Sequence, residues 1–300
     1  MSAAVDSLVR VNASDSWGPG SALHVVEHGT GTPLVALHGF PVDHRVMTGF
    51  LEPVFGGGAD AEGVAADAAA VGGYRRIYPD LPGMGASPAD GVASSDEVLA
   101  RVVACIDERV GDAPFLLVGE SYGGYLARAI ANRRPAQVAG LALVCPIGIA
   151  VAGDERRVPR HEVRQADAGL IAGLSPAEAA EFTELAVVES PETLARFRAD
   201  VVPGAASADP EAVERIRARY ELRAAPEHAA PPFTAPTLIV TGRQDAVVGY
   251  LDQWELLEHY PHASFAVLDA AGHNAQFERP ALVTALLRDW LDRVAAEAGR

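Results

Sequence analysis

The chain has 300 residues, 49% of them apolar, which is enough to bury a full core without disulfide or metal staples. Its net charge is −16 and all 24 basic side chains are arginine. The negative excess argues against nucleic acid or an anionic membrane surface as partner, and the missing lysines rule out Schiff-base chemistry and Walker-type phosphate binding. The two cysteines, Cys105 and Cys145, are too few for a disulfide framework and show no zinc-ligand spacing.

The first twenty residues read as a loose leader into Leu23–Val26. They hold no basic segment followed by an apolar run, and no apolar stretch reaches the roughly 18 residues that cross a bilayer, so a cytoplasmic setting is expected. The turn Gly29–Pro33 leads into the apolar run Leu34–Leu37, a buried strand. Gly56–Gly73 is rich in Gly and Ala and reads as a flexible insertion, because it lacks large apolar anchors. Arg76–Asp80 predicts a further strand, and Ser95–Val110 a helix with Val98, Leu99, Val102, Val103 and Ile106 on one face. Phe115–Val118 predicts a buried strand, Tyr122–Arg134 a helix, and Val138–Val144 the next strand. This alternation predicts an α/β fold with a mostly parallel sheet covered on both faces.

From Pro146 to Pro232 the pattern changes to charged helical segments at Ser175–Val188, Pro191–Val201 and Pro210–Leu222, opened by Ser-Pro, Ser-Pro and Asp-Pro start signals. Strand and helix then alternate again: Thr237–Thr241, Tyr250–His259, Ser264–Leu268 and a terminal helix from Pro280 to about Ala296. The expected organisation is a core of residues 1–146 and 233–300 with a helical cap over 147–232.

Gly119-Glu-Ser-Tyr-Gly123 matches Gly-x-Ser-x-Gly between a strand and a helix, where the chain must turn sharply. Such a turn projects the Ser121 hydroxyl from the sheet's C-terminal edge, and a Cβ at position 119 or 123 would collide with the neighbouring elements. A serine nucleophile needs a base, and the base an orienting carboxylate. Asp245 and His273 both follow strands and so fall on the same sheet edge as Ser121. Glu120 and Asp269 compete as the acid. Glu120 adjoins Ser121, with its side chain expected to point away and to serve as a structural hydrogen-bond partner. Asp269 is expected to cap its loop. The backbone N–H groups of Tyr122 and Phe40 are the candidate oxyanion donors, since Pro41 has none. His38, His44 and Cys145 are candidates for the pocket lining.

With those residues in place the chain resembles the α/β-hydrolase family over nearly its whole length. The landmarks are His38-Gly-Phe-Pro41, Asp80-Leu-Pro-Gly-Met-Gly85, Gly119-Glu-Ser-Tyr-Gly-Gly124 and the Asp245/His273 pair. The resemblance implies a sheet of about eight strands and a helical cap over the pocket. It also implies acyl-enzyme chemistry on a small-molecule substrate, with no cofactor or metal: Ser121 attacks, His273 moves the proton and Asp245 holds the imidazolium. Monomer and homodimer both stay open. His-Gly-x-Pro is similar to epoxide hydrolases, but serine in place of their aspartate nucleophile argues against that activity. Gly-Glu-Ser-Tyr also resembles serine carboxypeptidases, which are secreted and disulfide-bonded.

The leading expectation is hydrolysis of a small carboxylic ester or lactone. C–C bond hydrolysis of a dienoic diketone is an alternative, with Arg157, Arg160 and Arg164 as candidates for holding a substrate carboxylate. An aminopeptidase of the proline-iminopeptidase type, or a ligand receptor of low turnover, completes the set.

Overall fold

Leu34, Val35, Ala36 and Leu37 offer water no polar face, and the strand they form is buried on both sides. The computed structural model describes residues 5–10, 22–56, 73–228 and 230–299. Its strands are β1 (Val5–Arg10), β2 (Ala22–His28), β3 (Thr32–Leu37), β4 (Tyr74–Pro79), β5 (Phe115–Glu120), β6 (Val138–Val144), β7 (Thr237–Gly242) and β8 (Ala263–Leu268). They form one eight-stranded sheet in the order β1-β2-β4-β3-β5-β6-β7-β8. The β1–β2 and β2–β4 pairs are antiparallel, and every other pair is parallel.

The helices in chain order begin with α1 (His44–Phe55), α2 (Ser95–Arg109) and α3 (Ser121–Arg133). Asp43 and Ser94 cap α1 and α2 by accepting the backbone N–H groups of Arg45 and Glu97. Helix α3 is buried almost all round and packs on β3, β5 and β6 at the middle of the sheet. Between β6 and β7 lie α4 (Ala168–Ala172), α5 (Pro176–Leu185), α6 (Pro191–Arg196), α7 (Val202–Ser207) and α8 (Pro210–Arg217). After β7 come α9 (Leu251–Trp254), α10 (Ala275–Glu278) and α11 (Pro280–Ala298), the last packing on β6, β7 and α1.

The three start signals in the β6–β7 segment act as expected. Ser175, Ser190 and Asp209 each accept backbone N–H groups from the first turn that follows, with proline at its head. The segment also has a small apolar cluster of its own, Phe182, Ala186, Leu194 and Phe197, distinct from the main core. The expected Pro191–Val201 helix is helical throughout, widens into a π turn at Phe197–Val201 and runs on through α7 to Ser207, while Tyr250–His259 resolves into α9 and a 3₁₀ turn, Glu255–Glu258.

Val5–Arg10 is not leader but strand β1. It is held by backbone pairing to the open edge of β2, and any residue type supplies those donors and acceptors, so no apolar run marks it. Of the expected flexible insertion, residues 57–72 lie outside the described residues. No helix among the described residues is long and apolar enough to cross a membrane.

Candidate active site

The turn from β5 into α3 is built around Ser121, whose φ of 52° lies in the left-handed region that a residue with a Cβ rarely enters. The glycines that flank it allow the approach. A Cβ on Gly119 would come within 2.5 Å of the Gly123 carbonyl, and one on Gly123 within 2.0 Å of the Leu37 carbonyl.

His273 and Asp245 reach Ser121 from the loops after β8 and β7. Ser121 Oγ lies 3.0 Å from His273 Nε2, and His273 Nδ1 lies 3.0 Å from Asp245 Oδ2. Asp245 is fully buried, and its other oxygen accepts the N–H groups of Val247 at 2.8 Å and Val248 at 3.0 Å. Those bonds lock the carboxylate, so His273 Nδ1 carries the proton it donates to Asp245 and Nε2 is left to accept from Ser121. Burial opposes a charge on the imidazole, but Asp245 and then Glu120 more than offset it and raise the ring to about 9, with Arg156 acting the other way.

Glu120 does not point away from the site. Its Oε1 is 3.7 Å from His273 Nε2, and the carboxylate accepts the Gly39 N–H, so it ties the loop before Phe40 to the catalytic-type pair. Burial, with the Asp245 charge adding to it, pushes the Glu120 carboxyl up to about 7 against the pull of His273 and that N–H. Asp269 is an exposed loop residue that accepts from Gln244 Nε2 at 2.8 Å, the capping role expected of it.

Phe40 and Tyr122 flank Ser121. The Tyr122 N–H belongs to the first turn of α3, where helical N–H groups lack partners within the helix. The Tyr122 ring stacks on Tyr220, and Phe40 packs edge-on against both, so the loop, the turn and the β6–β7 segment meet in one aromatic cluster. A cavity of about 1080 Å³ opens here, walled by Ser121, His273, Phe40, Arg156, Tyr220 and Leu185 among others.

The three residues expected in the pocket lining stand elsewhere. His38 is fully buried: Nε2 accepts the Leu81 N–H at 2.9 Å and Nδ1 donates to the Gly39 carbonyl at 2.7 Å, so it is a neutral brace of the loop. His44 bonds to Asp80 at 2.8 Å, as does His24 from the other side. Asp80 further accepts the N–H groups of His44 and Ala86. These bonds outweigh burial and hold its carboxyl well below the usual carboxylate range. The His24, His44 and Asp80 ligand atoms are close enough for a cation, but each ring nitrogen facing the carboxylate is already its hydrogen-bond donor. Cys145 lies behind Asp245 and His273, with Sγ 3.6 Å from the Gly272 carbonyl, and burial pushes its thiol up well above the ordinary value. It fills space beneath the pair.

The cap arginines also differ from expectation. Arg157 pairs with Asp252 and Glu255, Arg164 pairs with Glu162 and Asp269, and Arg160 is exposed, while Arg156, Arg217, Arg219 and Arg223 are on the cavity wall, and the Arg156 charge acts on His273. Glu278 was not singled out by sequence. Its buried carboxylate accepts the N–H groups of Val187 and Gly272, both at 2.6 Å, and of Val188 at 3.1 Å. It thus fastens the β6–β7 segment to the loop that carries His273. Only its place five residues after His273 hints at this.

Known proteins share this fold. Over 204 residues the chain is 28% identical to monoacylglycerol lipase ABHD6 of Bos taurus, covering 65% of this chain and 59% of that protein. It is 28% identical to the pimeloyl-[acyl-carrier protein] methyl ester esterase of Shewanella woodyi over 91% of this chain and 99% of that one. A third relative is the 2-hydroxymuconate semialdehyde hydrolase of Pseudomonas sp., 27% identical over 75% of this chain and 78% of that one. Among solved structures, an alpha/beta superfamily hydrolase from Oenococcus oeni PSU-1 superposes with a TM-score of 0.82 at 28% identity, covering 97% and 99% of the two chains. The family model of the alpha/beta hydrolase fold matches residues 32–280. The chain belongs to the alpha/beta hydrolase fold family.

Proposed function

We propose that the protein hydrolyses a small carboxylic ester or lactone through an acyl-enzyme on Ser121. The observation that carries this reading is the continuous line Ser121 Oγ, His273 Nε2, His273 Nδ1, Asp245 Oδ2, with 3.0 Å at each hydrogen bond. His273 takes the Ser121 proton as Oγ attacks the carbonyl carbon, and Asp245 stabilises the imidazolium. The N–H groups of Tyr122 and Phe40 receive the oxyanion. The imidazolium then gives its proton to the departing alkoxide, and water, deprotonated by His273, repeats the sequence on the acyl ester and frees Ser121.

Residues 147–232 form the cap in this reading, with Leu185 and Tyr220 on the cavity wall opposite the sheet edge. The esterase and lipase relatives support ester cleavage. The second reading is C–C bond hydrolysis of a dienoic diketone, and its support is the likeness to the Pseudomonas 2-hydroxymuconate semialdehyde hydrolase. A panel of short esters against dienoic diketones separates the two. Replacing Ser121 by Ala is expected to lower turnover of short p-nitrophenyl esters by about 10⁴-fold or more. Unchanged turnover in that variant contradicts the mechanism.

A further inference from the structure

Arg156 sits half-buried in the cavity that opens on Ser121 and His273. Its guanidinium is held by neutral acceptors: Nε and Nη2 donate to the Val151 carbonyl at 3.2 and 2.6 Å, Nη1 to the Val247 carbonyl at 3.3 Å, and the Tyr220 hydroxyl is a further partner. Its neighbour Arg157 has two carboxylate partners, whereas Arg156 forms no ion pair among the described residues. Four acids share the wall, and none of them forms an ion pair with Arg156 among the described residues. Asp96 and Glu97 accept the backbone N–H groups of Arg223 and Ala93 at the start of α2, and Glu184 and Glu221 are exposed.

Arg156 is thus a held cation on the cavity wall whose charge bears on the catalytic base. Each acyl transfer step puts a positive charge on His273, and Arg156 opposes that charge. An anion bound to Arg156 removes the opposition and gains charge-assisted hydrogen bonds in a partly desolvated cavity. In a chain with a net charge of −16, the arginines gathered on this cavity wall, Arg156, Arg217, Arg219 and Arg223, favour small anions there.

We infer that Arg156 binds a free carboxylate of the substrate, so that the ester cleaved at Ser121 is an anionic one. This inference rests on the reading of Ser121 as an ester-cleaving nucleophile. It adds to that reading the chemical class of substrate and the residue that selects it. Arg217, whose guanidinium lies 5.9 Å from the Phe40 ring centroid on the same cavity, gives an arriving anion a second positive charge.

The test compares monomethyl with dimethyl esters of the dicarboxylic acids from succinate to suberate, and acetoxyalkanoates with their methyl esters, by methanol or acetate release. The first series puts the carboxylate on the acyl part and the second on the alcohol part. In one series the wild-type chain is expected to show kcat/KM for the anionic ester above the neutral one by about ten-fold or more, the size of one charge-assisted hydrogen bond. Arg156→Gln should collapse that ratio mainly through KM, and Arg156→Lys should restore part of it. A wild-type ratio at or below one in both series, or a ratio that Arg156→Gln leaves intact, overturns the inference. If neutral esters are cleaved without such selectivity, the inference fails and the ester reading stands. If no ester is cleaved and Ser121 resists a fluorophosphonate, both fall together.

Discussion

Glu120 Oε1 lies 3.7 Å from His273 Nε2, the same ring nitrogen that meets Ser121 Oγ at 3.0 Å. His273 therefore has a carboxylate at each end, Asp245 on Nδ1 and Glu120 near Nε2. Both favour the imidazolium, and the neutral ring is the form that takes the Ser121 proton.

The Glu120–His273 contact predicts a shifted pH profile. Activity should rise with pH as His273 loses its proton, and the Glu120 charge delays that loss. Glu120→Gln is expected to move the acid limb of kcat/KM to lower pH by about one unit or more, since it removes a negative charge in close contact. The limb belongs to the coupled cluster and not to the histidine alone. An acid limb that does not move contradicts this role.

The same carboxyl carries a stability prediction. Its folded value of about 7 exceeds the ordinary 4.5, so the folded state favours the proton. Its contribution is full below the ordinary value and is lost as pH rises through the folded one, by up to about 3 kcal/mol at 1.36 kcal/mol per unit. Urea unfolding should find Glu120→Gln gaining on the wild type above neutral pH and matching it in acid. A constant offset at all pH values would speak against a buried titrating carboxyl.

Asp80 has the opposite sign. Its carboxyl is depressed, so its contribution is present above the ordinary value of 3.8 and lost as pH falls. Asp80→Asn leaves two histidines facing a neutral amide and should cost about 3 kcal/mol near neutral pH, with the difference narrowing in acid. Thermal unfolding across that range is the check, and a variant as stable as wild type at neutral pH sinks the prediction.

Glu278 couples the β6–β7 segment to the His273 loop through Val187, Val188 and Gly272. Glu278→Ala orphans those buried donors and should cost about 2–4 kcal/mol, while Glu278→Gln, which keeps an acceptor, costs less. Hydrogen exchange should quicken first at these three amides. Uniform exchange over the whole chain would show a global loss instead of a local fastening.

Asp245→Asn keeps the shape but lets His273 Nδ1 accept in place of donating, which turns the Nε2 proton toward Ser121. The expected loss in kcat on esters is about 10³- to 10⁴-fold. A loss below ten-fold would mean that Asp245 does not set the tautomer.

Ser121, Asp245 and His273 were legible because each follows a strand of a parallel sheet, and such a sheet brings all its strand ends to one edge. The place of Phe40 on the cavity wall was legible for the same reason, after β3. The β6–β7 helices announced themselves through serine, aspartate and proline at their starts. What the sequence concealed depends on long-range contact. Glu278 meets Val187 across 91 residues and Arg128 meets Glu227 across 99, and no local pattern encodes either pairing. Glu120 faces His273 because alternation along a strand fails where the strand turns into α3. Arg156 and Arg157 are neighbours of one type, and only the fold of the segment decides which reaches the cavity and which pairs with Asp252.

The most direct test is covalent labelling of the folded protein with a fluorophosphonate, followed by peptide mapping. The account predicts one phosphonylated residue, Ser121, with labelling abolished by Ser121→Ala and slowed by His273→Ala. Folded protein that stays unlabelled, or label on another residue that survives Ser121→Ala, would contradict it.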